Sequence, residues 1–322
     1  MRVLFLYSRL PSFVRRDLEI LQKHFEVGKV RIASFKKPLA YWRLLKAILK
    51  NDVVYCWSAT WRAFFVVLFS MVFRKKSIVV VTGYEVAYEP NIGYGLLVSC
   101  ISRLKVKFVL KYASKILTVS KSSTAEMLRF TEPKNFKMVY NGVDVEKFKP
   151  SGSKECLVIT VGAISESKIR KKRFDIFVKA SRHLPDVQFL LIGAYEDNSV
   201  KRLRKMAGSN VNFTGYVSDN QLLHYYQKAK VYCQLSTQES FGVALAEAMA
   251  CACVPVVVNR YSLPELVGNT GFYVPYNDAE ATAQGIKNAL QSNKGKKGRE
   301  RIVKHFSLAL REKALVTELV LP

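Results

Sequence analysis

Two glutamates and a run of cations are the residues whose types and spacing could do chemistry in this sequence. Glu239 and Glu247 stand eight positions apart in QESFGVALAEAMACACVPVVV, residues 238–258. Between Glu239 and Arg260, Glu247 is the only charged side chain, and Ala244, Ala246, Ala248 and Ala250 surround it. Small residues let a helix approach a sheet or a ligand closely. A carboxylate stripped of water is costly unless it accepts strong hydrogen bonds. The vicinal hydroxyls of a ribose offer such bonds, and so does a buried salt bridge, for which Arg260 is the local donor. The cations are Lys168, Arg170, Lys171, Lys172 and Arg173 in AISESKIRKKRFD, which follows Gly162. Beside a helix N-terminus, whose free amides and dipole favour negative charge, they would suit a phosphate or diphosphate. Lys172 could neutralise phosphate oxygens as a leaving group develops charge. A solvated basic loop accounts for the same run.

Such residues need strands to carry them to one place. Apolar runs predict strands over 2–7, 29–35, 52–57, 77–83 and 115–120, and residues 137–144 end this half. Helical spacing covers 13–24, 41–50, 63–73 and 95–113, and SSTAEMLRF opens another helix with capping residues. The pattern then restarts, with strands over 157–162, 187–193, 211–215, 231–236, 254–258 and 271–275. Helices are expected at 173–184, 200–207, 221–229, 242–253, 279–290 and 300–320. Strands apolar on both faces, alternating with helices, predict covered parallel sheets. Polar 146–155 reads as a linker. The expected class is α/β, two doubly wound Rossmann-like domains facing a cleft: 1–148 and 149–303, followed by a terminal helix over 304–322. Ligands of such sheets sit beyond the carboxyl ends of the strands. That rule gathers Gly162, the segment 214–219 and STQESFG, 236–242, on one rim, with Ser240 or a neighbour capping the next helix.

Fifty-one Lys and Arg oppose 25 Asp and Glu among 322 residues, a net charge of +26. That balance favours a polyanionic partner, here an anionic membrane surface, over a merely basic exterior. No specific nucleic acid is expected, since the sequence holds no RNA- or DNA-binding signature. AFFVVLFSMVF, 63–73, is too short to span a bilayer, which takes about 20 apolar residues. Arg62 and the cations 74–76 bracket it, so it reads as a core helix or one that dips into a membrane surface. The six cysteines are scattered, all but a few among apolar neighbours, and read as reduced, buried residues of a cytosolic chain. MRVLFLY is no signal peptide, because Arg9, Arg15 and Arg16 follow a short apolar run. The run 292–301 reads as a solvated basic loop entering a helix.

ESFGVALAEAMA resembles the E-x7-E signature of retaining nucleotide-sugar glycosyltransferases of the GT-B fold, the GT4-type group 1 enzymes. VYNGVDVEKFKP, 139–150, is similar to their N-G-V-D…F-x-P junction, and SLPELVGNTGFYVPYNDAEATAQGI, 262–286, to their P-E…G…V…D segment. The likeness is strong from about 115 to 290 and weaker in the first hundred residues. It implies that Glu239 contacts the hydroxyls of the donor sugar and Glu247 holds the nucleotide ribose. Ser240, Phe241, Gly242 and Val243 would meet the sugar and diphosphate, and Gly162 and Lys172 would line the diphosphate. Tyr216 and Val217 would grip the base, and Glu265 and Leu266 would lie near the distal part of the pocket. It also implies that the last helix returns to the N-terminal domain.

Three departures stand out. Ala163 replaces the family's arginine, leaving Lys168, Arg170 or Lys171 to supply a second cation. SRLPSF, 8–13, lacks the usual glycine pair, so Ser8 and Arg9 fall on the acceptor side. TGYE, 82–85, stands where a histidine is common, and Gly83 and Tyr84 would line the reaction centre. The implied activity is metal-independent, hexosyltransferase-like transfer from a nucleotide-diphosphate sugar such as UDP-, GDP- or ADP-sugar. No cofactor is expected, and no D-x-D metal motif occurs. The acceptor would be a sugar, a lipid-linked sugar or a phospholipid, reached from the cytoplasmic membrane face. A nucleotide-sugar epimerase, or a non-catalytic nucleotide-sugar or membrane binding protein on the same scaffold, are the rival readings.

Overall fold

A computed structural model describes residues 1–32, 38–90 and 93–320. Residues 33–35 of one expected strand and 321–322 of the expected terminal helix lie outside the described residues. The chain divides into two compact units, Met1–Gly142 with Ala309–Pro322, and Val143–Leu308.

The first unit is built on β1 (Arg2–Tyr7), β2 (Glu26–Arg31), β3 (Val53–Trp57), β4 (Lys76–Val81), β5 (Lys115–Thr118) and β6 (Phe136–Met138). They form one parallel sheet in the order β2-β1-β3-β4-β5-β6. The central strands VVYCW and KSIVVV are buried on both faces, which is why they read as continuous apolar runs. The helix Trp61–Val72 buries Ala63, Val66, Val67 and Ser70, a spacing that keeps one face on the core. Trp61, Phe64, Phe65 and Phe69 remain half-buried. Among the described residues no helix is long and apolar enough to cross a membrane.

The closing helix, Leu308–Val320, inserts a charge into this unit. Arg311 is buried and its Nε and Nη2 donate to the Asp17 carboxylate at 2.5 and 2.7 Å. Asp17 is fully buried and also accepts from the Tyr55 phenol at 2.6 Å. Arg311 Nη1 donates to the carbonyls of Val139 and Tyr140 at 3.1 and 2.7 Å. Burial acts against the guanidinium charge, but Asp17 and Tyr55 together outweigh it and raise the pKa of Arg311.

The second unit repeats the plan with β7 (Glu155–Val161), β8 (Gln188–Ile192), β9 (Val211–Gly215), β10 (Ala229–Gln234), β11 (Val254–Val258) and β12 (Phe272–Val274). The order is β12-β11-β10-β7-β8-β9, again all parallel. Two doubly wound parallel sheets are the α/β architecture the alternating pattern predicts.

Three segments differ from expectation. The helix expected over 95–113 is a 3₁₀ turn, Leu96–Val98, followed by a helix over Cys100–Tyr112. Ser99 separates them, because its side chain caps the second by accepting from Ser102 N. The stretch 300–320 breaks at Ser307, where the Val143 backbone bonds to Phe306 and Leu308. The basic run 292–301 is helical from Lys294. Its cations are anchored, not merely solvated: Arg299 donates to Ala250 O at 2.6 Å, and Arg301 to Leu266 O at 2.8 Å and Glu265 O at 2.6 Å. Each thereby satisfies carbonyls at a helix C-terminus.

Candidate active site

The strand order of the second sheet reverses between β7 and β10, which pair directly. At such a switch point the connections leave in opposite directions and open a crevice at the carboxyl ends. Gly162 follows β7 there, and Leu235–Gly242 follow β10. The helix Glu166–Lys172 then brings Lys172 back over the strand end. A Cβ at Gly162 would stand 2.7 Å from Lys172 Cδ, so the glycine makes room for the lysine stem. The helix stops at Arg173, which adopts a left-handed φ of 55°. Arg173 is held there by the Asp175 carboxylate, which accepts from its Nε at 3.0 Å and Nη2 at 2.8 Å.

Lys172 Nζ lies 3.6 Å from Glu239 Oε2. The same oxygen accepts from the Gln234 amide at 3.0 Å and from Ser236 Oγ at 3.5 Å. The Glu239 carbonyl accepts from Ser262 Oγ at 2.8 Å. The Glu239 carboxylate is thus fixed from the end of β10, and its backbone from the loop after β11, with the Lys172 cation alongside. Three residues on, Gly242 takes φ +92° and ends the turn into the helix Val243–Ala250. A left-handed residue there favours glycine. The first-turn amides of any helix have no partner within it, and this helix starts beside the Glu239 side chain, since a Cβ at Gly242 would stand 3.7 Å from Glu239 Cγ. The Phe241 ring is buried against Phe306, at 5.7 Å between centroids, so only its backbone remains on the rim.

Glu247 lies in the second turn of that helix and is 6% exposed. The Tyr226 phenol donates to its Oε2 at 3.5 Å. Burial, and then the charge of Glu247, raise the Tyr226 pKa well above its ordinary value. The Tyr232 phenol on β10 is raised by burial first and then by both Glu239 and Glu247. Glu239 accepts from Gln234, and Glu247 from Tyr226, whose ring packs against Tyr232, so both glutamates lie on the side of β10 that carries Tyr232 and Gln234. Arg260 is not the ion-pair partner of Glu247; its guanidinium lies 4.5 Å over the Tyr276 ring.

The other expected residues are distributed differently. Ser240 does not cap the helix, because the cap position is Gly242 and no side chain bonds there. Lys168 turns away to pair with Glu196, and Arg170 lies 3.9 Å from Glu166 on its own helix. Lys171 is the neighbour that shares the field of Glu239: burial lowers its pKa and Glu239 opposes that shift. Tyr216, 80% exposed, and half-buried Val217 follow β9 at the sheet edge, two strands from β7. Gln234 and Tyr276 are absent from the residues expected on this rim, whereas Thr237 lies within the segment 236–242 gathered there, with no role of its own assigned to it. Gln234 carries a signal, as the one amide closing an apolar strand, and Thr237 carries one by its place at the strand exit, whereas Tyr276 carries none.

In the first unit, Ser8 and Arg9 follow β1 and Gly83 and Tyr84 follow β4, so all four lie on the carboxyl rim of that sheet. Glu85 is fully buried beneath this loop and accepts from Thr82 N at 3.0 Å and Thr82 Oγ1 at 2.8 Å. Burial raises its carboxyl pKa. Among the described residues no three His, Cys, Asp or Glu side chains gather as a metal site.

The family description "Glycosyl transferases group 1" matches residues 144–305, half of the chain. The O-antigen chain mannosyltransferase RfbU of Salmonella typhimurium is 29% identical over 206 residues, 60% of this chain and 57% of that protein. The phosphatidyl-myo-inositol mannosyltransferase of Mycobacterium tuberculosis is 28% identical over 160 residues, 47% of this chain and 42% of that one. The chain thus spans less than two thirds of the length of each of these curated relatives. Among solved structures, HepE of Anabaena with UDP and glucose superposes with a TM-score of 0.82 over 99% of both chains at 17% identity. The lipopolysaccharide outer core galactosyltransferase WaaB gives 0.71 over 99% of both at 12% identity. At such identities the likeness concerns the fold, which these glycosyltransferases share with this chain.

Proposed function

From its membership in the group 1 glycosyltransferases, to which this chain belongs, we propose that it transfers a hexose from a nucleotide-diphosphate sugar with retention at the anomeric carbon. The observation that carries this reading is the Lys172–Glu239 pair, at 3.6 Å, beside the Gly242 helix start on the β7/β10 switch point. In this reading the helix amides, Lys172 and Lys171 hold the diphosphate without a metal ion, and Lys171 takes the place of the arginine absent at Ala163. Glu239 orients the donor sugar, and Glu247 accepts from the two ribose hydroxyls. The acceptor oxygen bonds to the anomeric carbon on the face from which the diphosphate departs. The anomeric C–O bond breaks, and the acceptor proton passes to a phosphate oxygen. Lys172 stabilises the charge that develops there.

Glu247→Gln tests the ribose assignment. It is expected to weaken UDP, GDP or ADP binding by about 10- to 100-fold, because a charged acceptor of two hydrogen bonds becomes a neutral one. Calorimetry on the folded variant reads it. A collapse in Tm with affinity unchanged would make Glu247 a structural residue of the Tyr226 network.

The acceptor proposal is a lipid-linked sugar or a phospholipid at an anionic membrane surface, on the cytoplasmic face. Relatives named for O-antigen chains and phosphatidyl-myo-inositol support it. So does the first unit's surface. The helix Cys100–Tyr112 exposes Ile101 and Leu104 at 67% and 71%, among Arg103, Lys105, Lys107 and Lys111. Ring contacts join Phe108 to Phe64 and Tyr112. An apolar and aromatic face flanked by cations suits the boundary of an anionic bilayer. The experiment incubates the protein with radiolabelled UDP-, GDP- and ADP-sugars and vesicles of bacterial lipid extract. Label entering the lipid phase is the expected result, with association stronger on phosphatidylglycerol than on phosphatidylcholine vesicles. Nucleotide binding without turnover over a broad acceptor set would instead mark a non-catalytic scaffold.

A further inference from the structure

Lys172 ends a helix of only seven residues, Glu166–Lys172, which buries a single side chain, Ile169. So short a helix has little stability of its own, and the residue after it is left-handed. Something outside the helix must fix its last turn. Thr237, on the loop after β10, does this with two bonds. Its backbone N–H donates to Lys171 O at 2.8 Å, and its hydroxyl donates to Arg170 O at 3.1 Å. These are carbonyls at a helix end that lack partners within the helix.

The Thr237 hydroxyl has one proton, which goes to Arg170 O. Its contact with the Tyr276 phenol at 2.9 Å is therefore donated by Tyr276. The phenol oxygen in turn accepts from Arg173 Nη1 at 3.2 Å, and Arg173 also donates to Asn277 Oδ1. The direction of every bond is thus set: Arg173 to Tyr276, Tyr276 to Thr237, Thr237 to the helix end. The chain begins and ends on the two sides of Lys172, at residues 173 and 170. Arg260 lies on the ring, not on the hydroxyl, of Tyr276.

We propose that Tyr276 is a positioning residue for Lys172, acting through Thr237, and that this strap sets the distance between the Lys172 ammonium and the donor's diphosphate. The proposal rests on the reading of Lys172 as the diphosphate cation. Tyr276 follows β12 and Thr237 follows β10, so the strap also ties two strand exits to the turn that carries the cation.

Tyr276→Phe removes the hydroxyl and keeps the ring under Arg260. Thr237→Val removes the Oγ and keeps the shape, whereas Thr237→Ser keeps the Oγ. Kinetics on the full chain with its nucleotide-sugar donor, and UDP, GDP or ADP binding by calorimetry, are compared with Lys172→Ala. Tyr276→Phe and Thr237→Val are each expected to lower kcat/KM by about tenfold, an effect ordinary for a small misplacement of a reacting-site group. The double variant should be no worse than the more affected single variant, Thr237→Ser should match the wild type, and Tm should hold in all. Loss of Tm without loss of kcat/KM, or multiplicative losses in the double variant, would overturn the strap. If Lys172→Ala is fully active, the reading of Lys172 fails and the strap with it. If Lys172→Ala is impaired while Tyr276→Phe and Thr237→Val match the wild type, the strap alone fails.

Discussion

Lys172→Ala is expected to lower kcat/KM for the nucleotide-sugar donor by about 100- to 1,000-fold, the usual cost of removing one electrostatic contact to a developing oxyanion. Lys172 sits at the rim with its stem over Gly162 and its ammonium 3.6 Å from Glu239. It is part-buried, with 23% of the side chain exposed, so its field is less screened than that of a surface lysine. Alanine also leaves Glu239 without its nearest cation, and repulsion between that carboxylate and a diphosphate then adds to the loss. Folding should be spared, because the pair is not deeply buried and the Gln234 and Ser236 donors to Glu239 remain. Steady-state kinetics with Tm as the control decides it. A kcat/KM within about threefold of wild type would rule Lys172 out as the phosphate cation, since even one ordinary hydrogen bond to a charge is worth more.

The glutamates could be placed from the sequence because their spacing is local. Glu239 lies in the exit of an apolar strand, just before the helix that holds Glu247, so both stay close to β10 by chain connectivity. The cations could not be sorted in the same way. ESKIRKK shows one apolar residue, too few for a helical period, so it reads as a loop in which Lys168, Arg170 and Lys171 are equal candidates for the second cation beside Lys172. Its helix is held by Thr237, which arrives from another strand, and Lys168 is drawn off by Glu196. Ser240 looked like the cap because Ser caps helices by side-chain bonding. The chain instead turns through the left-handed conformation of Gly242, a backbone event that composition does not announce. The closing helix shows the same limit. Arg311 reads as an ordinary polar position of LALREKALVTELV, and its partner stands 294 residues away.

That distant partner makes Arg311→Leu the largest expected stability effect. It should cost the first unit about 3–5 kcal/mol, the range for removing one member of a buried ion pair. Asp17 is left charged and fully buried with only the Tyr55 phenol to satisfy it, and the carbonyls of Val139 and Tyr140 lose their donor. Asp17→Leu should cost a comparable amount, because it strands the guanidinium. Together, Asp17→Leu and Arg311→Leu should cost less than the sum of the two single changes, since no unpaired charge then remains. What persists in the double variant is a Tyr55 hydroxyl that has lost its Asp17 acceptor, about 1–3 kcal/mol, and the loss of the Arg311 donor at the Val139 and Tyr140 carbonyls. Urea unfolding followed by the fluorescence of Trp57, 5.3 Å from the guanidinium, reads this site directly. A loss below about 1 kcal/mol for Arg311→Leu would place the pair with solvent-screened surface bridges. The closing helix would then be held by its apolar contacts, Leu315 and Leu319, and not by its charge.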